Sequence, residues 1–212
     1  MIIDKSRKDS REKSGQKSDE ELIFSVQEGS SEAFDQLVTR YKNRLYAYLL
    51  RLTGNPDEAE EFAQETFVKA YINADKYKPI AKFSTWLYTI GTNLVRNRIR
   101  NRKRRPKVWS LWNHNLDDGG GWMEIEDKSQ DSEQNADRDK LQDFIQQAIE
   151  EIPGKYRTAF VLREIENLSY EEISASTGAK LGTVRSRINR GRKYFKTAVA
   201  PYLKGDVRFK EK

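Results

Sequence analysis

Apolar residues in this chain recur every three or four positions, a period that suits a helix and not a half-buried strand. Phe34, Leu37, Val38, Tyr41, Leu45, Tyr48, Leu49 and Leu52 form one such stripe. The stretch Thr53-Gly54-Asn55-Pro56 stops it and starts another helix. Asn55 can cap the new helix, Pro56 suits its first turn, and Asp57 and Glu58 favour its positive end. The next stripe is Ala59, Phe62, Ala63, Phe67, Ala70, Tyr71 and Ala74. A third helix is expected from about Ser84 into the arginines near Arg102. No segment alternates convincingly and none repeats, so the fold class is all-α.

Composition divides the 212 residues into two periodic blocks. Residues 1–18 are a polar tail, expected to be disordered. Residues 19–105 are the first block. Residues 106–137 form a linker, in whose stretch Asn113–Asp139 nine acids and two bases are found. Residues 138–204 are periodic again, and 205–212 are a second tail. Such composition predicts two small helical domains joined by a flexible acidic linker. Trp109, Trp112 and Trp122 are hard to explain as mere spacer, and an anchoring role for them is the alternative. The chain has no cysteine, which excludes disulfides, thiolate nucleophiles and cysteine zinc sites. Neither a signal peptide nor a span of about 20 apolar residues is evident, so a cytoplasmic location is expected. The net charge of +6 is modest, so its distribution matters more than its total.

That distribution is uneven. In the second block, helices are expected at 138–151 and 155–165, broken at Pro153-Gly154. Ser169-Tyr170-Glu171-Glu172 has the form of a capping box and starts a short helix that ends at Gly178. A last helix starts near Leu181 and reaches Lys196 or Leu203. Short helix, glycine turn and longer basic helix make a helix-turn-helix. Val184, Ile188, Gly191 and Phe195 lie on one face of the last helix and should pack inward. Arg185, Ser186, Asn189, Arg190 and Lys193 lie on the other. Six bases and no acid fall between Leu181 and Lys196. Arginine and asparagine suit guanine and adenine edges in the major groove, while serine and lysine suit phosphates. A solvated basic face is the competing interpretation. Thr183 stands near the helix start, as a cap or a phosphate contact.

The first block has its own polarised helices. On the helix over 57–74, Glu61, Glu65, Val68 and Ile72 share a second face, acidic at one end and apolar at the other. On the helix from Ser84, Asn93, Asn97, Arg100 and Arg104 share a stripe. Eight bases and no acid fall between Arg96 and Lys107. A polar stripe merging into a basic one suits a surface laid along a nucleic-acid backbone.

These residues carry a resemblance. Leu168-Ser169-Tyr170-Glu171-Glu172-Ile173, followed by Gly182-Thr183-Val184-Arg185-Ser186-Arg187-Ile188, resembles region 4 of the extracytoplasmic-function sigma factors. Independently, the segment from Glu60 to Tyr71 is similar to their region 2.2. Phe83-Ser84-Thr85-Trp86-Leu87-Tyr88-Thr89-Ile90, with Asn93 and Asn97, is similar to their regions 2.3 and 2.4. The resemblance covers about 19–104 and 138–203, with the two blocks in the family's order.

The resemblance implies a factor that binds core RNA polymerase and directs it to promoters. The implied partners are the clamp of the largest subunit, the flap of the second-largest subunit, promoter DNA and an anti-sigma factor. For the −35 element it implies Thr183, Arg185, Ser186, Arg187, Asn189, Arg190 and Lys193. For the −10 element it implies Lys82, Phe83, Asn93, Arg96, Asn97 and Arg100, with the loop Tyr77–Lys82 receiving a flipped base. For the polymerase it implies Glu61, Gln64, Glu65 and Val68, whereas Phe62 and Phe67 are expected in the core and Trp86 is expected to pack beside Ile90. The loop departs from many relatives by having Lys78-Pro79-Ile80-Ala81 where they have a glycine and a small polar residue, and Asn97 stands where many have aspartate. No catalytic residue, metal or cofactor is expected, since the only histidine, His114, lies in the linker. Two other functions stay open at this point. An enzyme would need a convergent site. A stand-alone helix-turn-helix regulator would need a sensor domain.

Overall fold

Short polar side chains at the expected boundaries decide where the helices begin. In a computed structural model of the chain, which describes residues 17–104 and 132–203, Ser18 opens α1 (Asp19–Gln27) with a capping box closed by Glu21. Ser30 caps α2 (Ser31–Thr53), and Gly54 ends it in the left-handed conformation at φ 69°. A side chain is strained there, and a Cβ would also lie 3.0 Å from the Glu150 side chain. Asn55 caps α3 (Pro56–Ile72) by accepting from the Glu58 amide at 2.9 Å. A 3-10 turn (Ala74–Lys76) leads through the loop to α4 (Phe83–Arg104). Among the described residues there is no strand.

The α2 stripe packs as its period demands. Leu37, Tyr41, Leu45, Tyr48, Leu49 and Leu52 are buried, and Phe34 and Val38 are half-buried at its edge. Each fully buried side chain of this size contributes about 1.5–3 kcal/mol. Helix α3 lays Ala59, Phe62, Ala63 and Ala70 on α2. Helix α4 closes the group with Phe83, Leu87, Tyr88 and Val95. Its buried hydroxyls are paired in series. Thr92 donates to the Tyr88 carbonyl at 2.7 Å, which uses its only hydrogen. Tyr48 is therefore the donor in the 2.6 Å contact between its hydroxyl and that of Thr92.

The second group contains α5 (Ser132–Glu150), α6 (Gly154–Glu164), α7 (Tyr170–Thr177) and α8 (Leu181–Leu203). Phe160, Val161 and Leu162 of α6 fill its centre, with Ile173, Val184 and Ile188 around them. The capping box at Ser169 forms as expected: the Glu172 amide bonds the Ser169 hydroxyl at 3.1 Å and the Glu172 carboxylate accepts from the Ser169 amide at 2.7 Å. Gly178 ends α7 at φ 66°. Gly191 lies directly over Phe160, where a Cβ would come within 2.7 Å of the Phe160 Cβ.

Two boundaries differ from the expectation. Helix α5 begins at Ser132, six residues inside the segment assigned to the linker, because Ser132–Arg138 contains neither glycine nor proline to stop it. Helix α4 begins at Phe83. The linker tryptophans Trp109, Trp112 and Trp122, and His114, lie outside the described residues.

The two groups also touch, which periodicity does not foretell. Helix α7 packs on α4, and α6 and α5 pack on α2. Tyr88 donates to the Glu166 carboxylate at 2.5 Å, Thr85 to Glu172 at 2.9 Å, Arg157 to the Leu52 carbonyl at 3.0 Å, and Gln146 to the Leu50 carbonyl at 3.1 Å. One continuous hydrophobic core runs through both.

Gly191→Ala should lower the thermal midpoint. Helix propensity favours alanine by about 1 kcal/mol, but overpacking against a ring root costs about 1–3 kcal/mol. Gly182→Ala, which meets no atom within 4 Å, should leave the midpoint unchanged or raise it. The Glu172 carboxyl is held below its ordinary value of 4.5, chiefly by the Ser169 amide and further by the Thr85 hydroxyl. A lowered folded-state value makes its contribution complete above about 4.5 and lost as pH falls through the folded value. Glu172→Gln should therefore flatten the acid limb of stability against pH, measured by denaturant unfolding between neutral pH and pH 3.

Candidate nucleic-acid interface

Three charged surfaces lie on this frame. The first is the outer face of α8. Its inward side is fixed by Val184 and Ile188, both fully buried, and by the close approach of Gly191 to Phe160. That docking turns Arg185, Ser186, Asn189, Arg190 and Lys193 outward, and all five are exposed. Thr183 is exposed too, but it is not the cap: α8 starts at Leu181, so Thr183 stands inside the first turn. Two arginines already have partners. Arg190 donates to the Tyr156 hydroxyl at 2.9 Å, and the adjacent guanidinium lowers the phenol's pKa. Arg185 lies 6.0 Å from the Tyr170 ring centroid, a ring that Arg163 also covers at 5.1 Å. Arg192 is held by Glu164 at 2.7 Å, which explains why it sits apart from the outward set. Arg187 is half-buried and faces the first group of helices instead.

The second surface is the stripe on α4. Asn93, Arg96, Asn97 and Arg100 are exposed and line a single cavity of about 1010 Å³. The Arg100 guanidinium donates to the Asn97 side-chain oxygen at 3.1 Å, so the two form one polar unit. Arg96 donates to the Thr177 carbonyl at 2.8 Å. Lys155 and Arg187 stand on the opposite wall of the cavity. Lys155 was not expected in the sequence, since it lies about 60 residues from α4 and belongs to no basic run.

Phe83 requires a correction. Expected as a −10 contact, it is fully buried. Its ring sits 5.4 Å from Tyr41, 6.1 Å from Tyr77 and 6.0 Å from Trp86, centroid to centroid. The aromatic cluster under the start of α4 outcompetes exposure, because burying a large ring is worth more than leaving it for a ligand. Trp86 packs half-buried in the same cluster, as expected. Lys82 beside it is exposed. The loop before α4 is held by the Tyr77 hydroxyl, which donates to the Ala81 carbonyl at 2.9 Å. Ile80 projects from it with 89% of its surface exposed.

The third surface is on α3. Phe62 is buried and Phe67 half-buried against Phe34, as expected for core rings. Val68 and Ile72 are 56% and 70% exposed, an unusual display for aliphatic side chains at successive turns. Gln64 is exposed at the same side, and Glu65 pairs with Lys69 at 3.4 Å. Glu61 differs from the expectation of a free acid. It is bound by Arg98 of α4, as Glu58 is by Arg102. Those two pairs take two arginines of the basic run away from the α4 stripe and tie α3 to α4.

Known proteins divide at the same places. The pattern of sigma-70 region 2 matches residues 37–105, and that of sigma-70 region 4 matches residues 144–195. The RNA polymerase sigma-H factor of Pseudomonas aeruginosa is 35% identical, over 89% of this chain and 97% of its own. The ECF RNA polymerase sigma factor SigW of Bacillus subtilis is 38% identical, over 80% of this chain and 90% of its own. The fold is shared with the sigma factor RpoE solved with the anti-sigma factor NepR from Bartonella quintana, at a TM-score of 0.57, 23% identity and 79% and 96% coverage. It is shared also with CnrH solved with the cytosolic domain of CnrY, at a TM-score of 0.58, 22% identity and 89% and 99% coverage. Identity at this level over nearly whole chains, with both regions in their order, excludes a regulator built on the helix-turn-helix alone: the chain belongs to the sigma-70 family of RNA polymerase sigma factors, in its extracytoplasmic-function group, and directs promoter-specific transcription initiation.

Proposed function

We propose that promoter recognition is divided between α8 and the α4 stripe, while α3 holds the polymerase. The observation that carries this is the presence of two separate outward basic faces on one chain, together with an exposed aliphatic face on α3. Arg185, Ser186, Asn189, Arg190 and Lys193 form a face of the shape and chemistry that enters a major groove as duplex, with Thr183 at its entry and Arg187 at its flank. This is the −35 reader. Asn93, Arg96, Asn97 and Arg100, with Lys82 at the head of the helix, suit a single strand, for which amides meet base edges and guanidinium groups meet phosphates. This is the −10 reader. Phe83 supports it from below by fixing the start of α4. The domain limits that follow are 19–105 for polymerase and −10 binding and 138–204 for −35 binding, with α5 extending the second towards the linker.

On α3, Val68 and Ile72 supply apolar area for the clamp of the polymerase largest subunit, and Gln64, Glu65 and Glu61 supply its polar rim. Glu61 reaches a clamp arginine by exchanging Arg98 for it. Region 4 meets the flap of the second-largest subunit. The factor works by binding and has no catalysis of its own, and it acts in the cytoplasm where its polymerase is. No helix among the described residues is long and apolar enough to cross a membrane. An anti-sigma factor is a further partner, since one of the similar solved structures is a sigma factor held by one.

Purified chain with core polymerase should initiate from discrete promoters, and operator binding without polymerase association would refute the assignment. Arg185→Ala should cost about 1–3 kcal/mol at the −35 element if the side chain reads a base, measured by holoenzyme binding to matched and base-substituted promoters, with core affinity unchanged. Equal weakening on every sequence would reduce it to a phosphate contact. Glu65→Arg should do the reverse, lowering core affinity while leaving DNA contacts of region 4 intact. Arg100→Glu in holoenzyme should prevent melting at −10, followed by permanganate reactivity, without loss of −35 protection.

A further inference from the structure

The two DNA-reading surfaces are not both free in this structure. Asn93, Arg96, Asn97 and Arg100 line the cavity of about 1010 Å³ between the two groups of helices, and Arg187 of the recognition helix lines the same cavity. The −35 and −10 elements are about 25 base pairs apart, or roughly 85 Å of duplex at about 3.4 Å per base pair. Residues assigned to both elements cannot share one cavity and contact both elements at once. In addition, Arg96 is engaged by the Thr177 carbonyl at 2.8 Å, so a side chain suited to a phosphate is occupied by α7.

The contact is built from specific polar pairs as well as from apolar area. Glu166 keeps only 5% of its side chain exposed, and its carboxylate sits between the Tyr88 hydroxyl at 2.5 Å and Arg44 at 3.5 Å. Tyr88 is itself fully buried in the first group. A carboxylate so placed has a defined partner only when the two groups are together. Thr85 donates to Glu172, and Gln146 and Arg157 of the second group satisfy two carbonyls, Leu50 and Leu52, at the end of α2. Helix ends leave such carbonyls without partners, so these bonds answer a need of α2. The α3 face is untouched by this closure: Val68 and Ile72 stay exposed.

From this asymmetry we infer that the free chain holds itself in a closed state, in which region 4 covers the −10-reading stripe of α4 through the Glu166–Tyr88 latch, leaving the polymerase-docking face of α3 open. The inference rests on the assignment of the α4 stripe to −10 DNA made above. It orders the events: polymerase is met first, its binding to region 2 and region 4 at distant points separates the groups, and only then does the stripe become available to DNA. The closed state thereby suppresses binding of the free factor to promoter or stray single-stranded DNA.

The test uses the full chain, which has no native cysteine. Donor and acceptor dyes are placed on Lys42→Cys of α2 and Lys196→Cys of α8, both exposed. Two latch variants are compared with it, Glu166→Ala/Gln146→Ala and Thr85→Val/Gln146→Ala. The second keeps the α7 capping box and removes no buried charge, so it covers the case in which the first misfolds. Energy transfer should be high in the unsubstituted chain, fall on adding core polymerase, and be low in the latch variants without it. Affinity of the polymerase-free variants for a fluorescent 30-nucleotide single strand of mixed sequence should rise roughly tenfold, as expected if about a tenth of the unsubstituted chain is open. Core affinity should stay unchanged. Low transfer in the unsubstituted chain before polymerase is added would overturn the closed state. Opened variants with no gain in single-strand affinity would overturn occlusion, provided Arg100→Glu still blocks −10 melting in holoenzyme. If Arg100→Glu melts normally, it is the assignment of α4 to the −10 element that fails.

Discussion

Glu166 brings a carboxylate into a place where almost none of its side chain meets water, and the arrangement of both halves of the molecule depends on how that charge is met. An isolated carboxylate buried to this degree is unstable by several kcal/mol. Here the Tyr88 hydroxyl donates to it and Arg44 stands beside it. The carboxylate and burial together push the Tyr88 phenol well above its ordinary pKa, so it remains a donor throughout the physiological range. Tyr88 in turn packs on Tyr48 at 4.8 Å between centroids, and Tyr48 donates to Thr92. One chain of contacts therefore runs from the core stripe of α2, through α4, into the loop before α7. Remove Glu166 and the first group loses nothing it needs to fold, but the second loses its registration on it.

Helix α4 bears three different demands on three faces. Leu87, Tyr88 and Val95 bury into the first core, Thr85 and Arg96 meet α7, and Arg98 and Arg102 reach back to Glu61 and Glu58 of α3. What is left over is the stripe Asn93, Asn97 and Arg100. The basic run of this helix is thus less of a uniform polycation than its composition implies. Exposed pairs such as these are each worth little in stability, yet they decide which charges remain available for a polyanion. The same pairing explains why the free apolar end of α3, at Val68 and Ile72, is the more distinctive part of its docking face than its acids.

Much of this was legible in the residues. Asn55 before Pro56, Ser169 before Glu172, and the glycines at 54 and 178 are local signals, because a cap or a left-handed turn is settled within four residues of chain. The stripes of α2 and α8 were legible because a helix of known period has only one face that can bury. Phe83 was misplaced for the opposite reason. An aromatic residue beside a loop suits stacking on a base and packing on Tyr41 and Tyr77 equally well, and only the approach of α2 to the loop chooses between them. The start of α5 at Ser132 was missed because acidic, polar sequence reads as linker whether or not it is helical.

By itself, then, the chain's sequence determined the helices, their inward faces, the helix-turn-helix, and the family whose two regions it carries in order. Those are properties of residues three or four apart, repeated along each helix. Only the tertiary structure decided that Phe83 is core, that Glu61 and Arg98 occupy one another, that Lys155 faces Arg100 across a cavity, and that Glu166 joins Tyr88. Each of these pairs residues from different helices, between about 35 and 80 positions apart wherever two chain segments meet. Local period carries no information about such distances: they are set by which apolar faces find each other, and the polar partners follow from that choice.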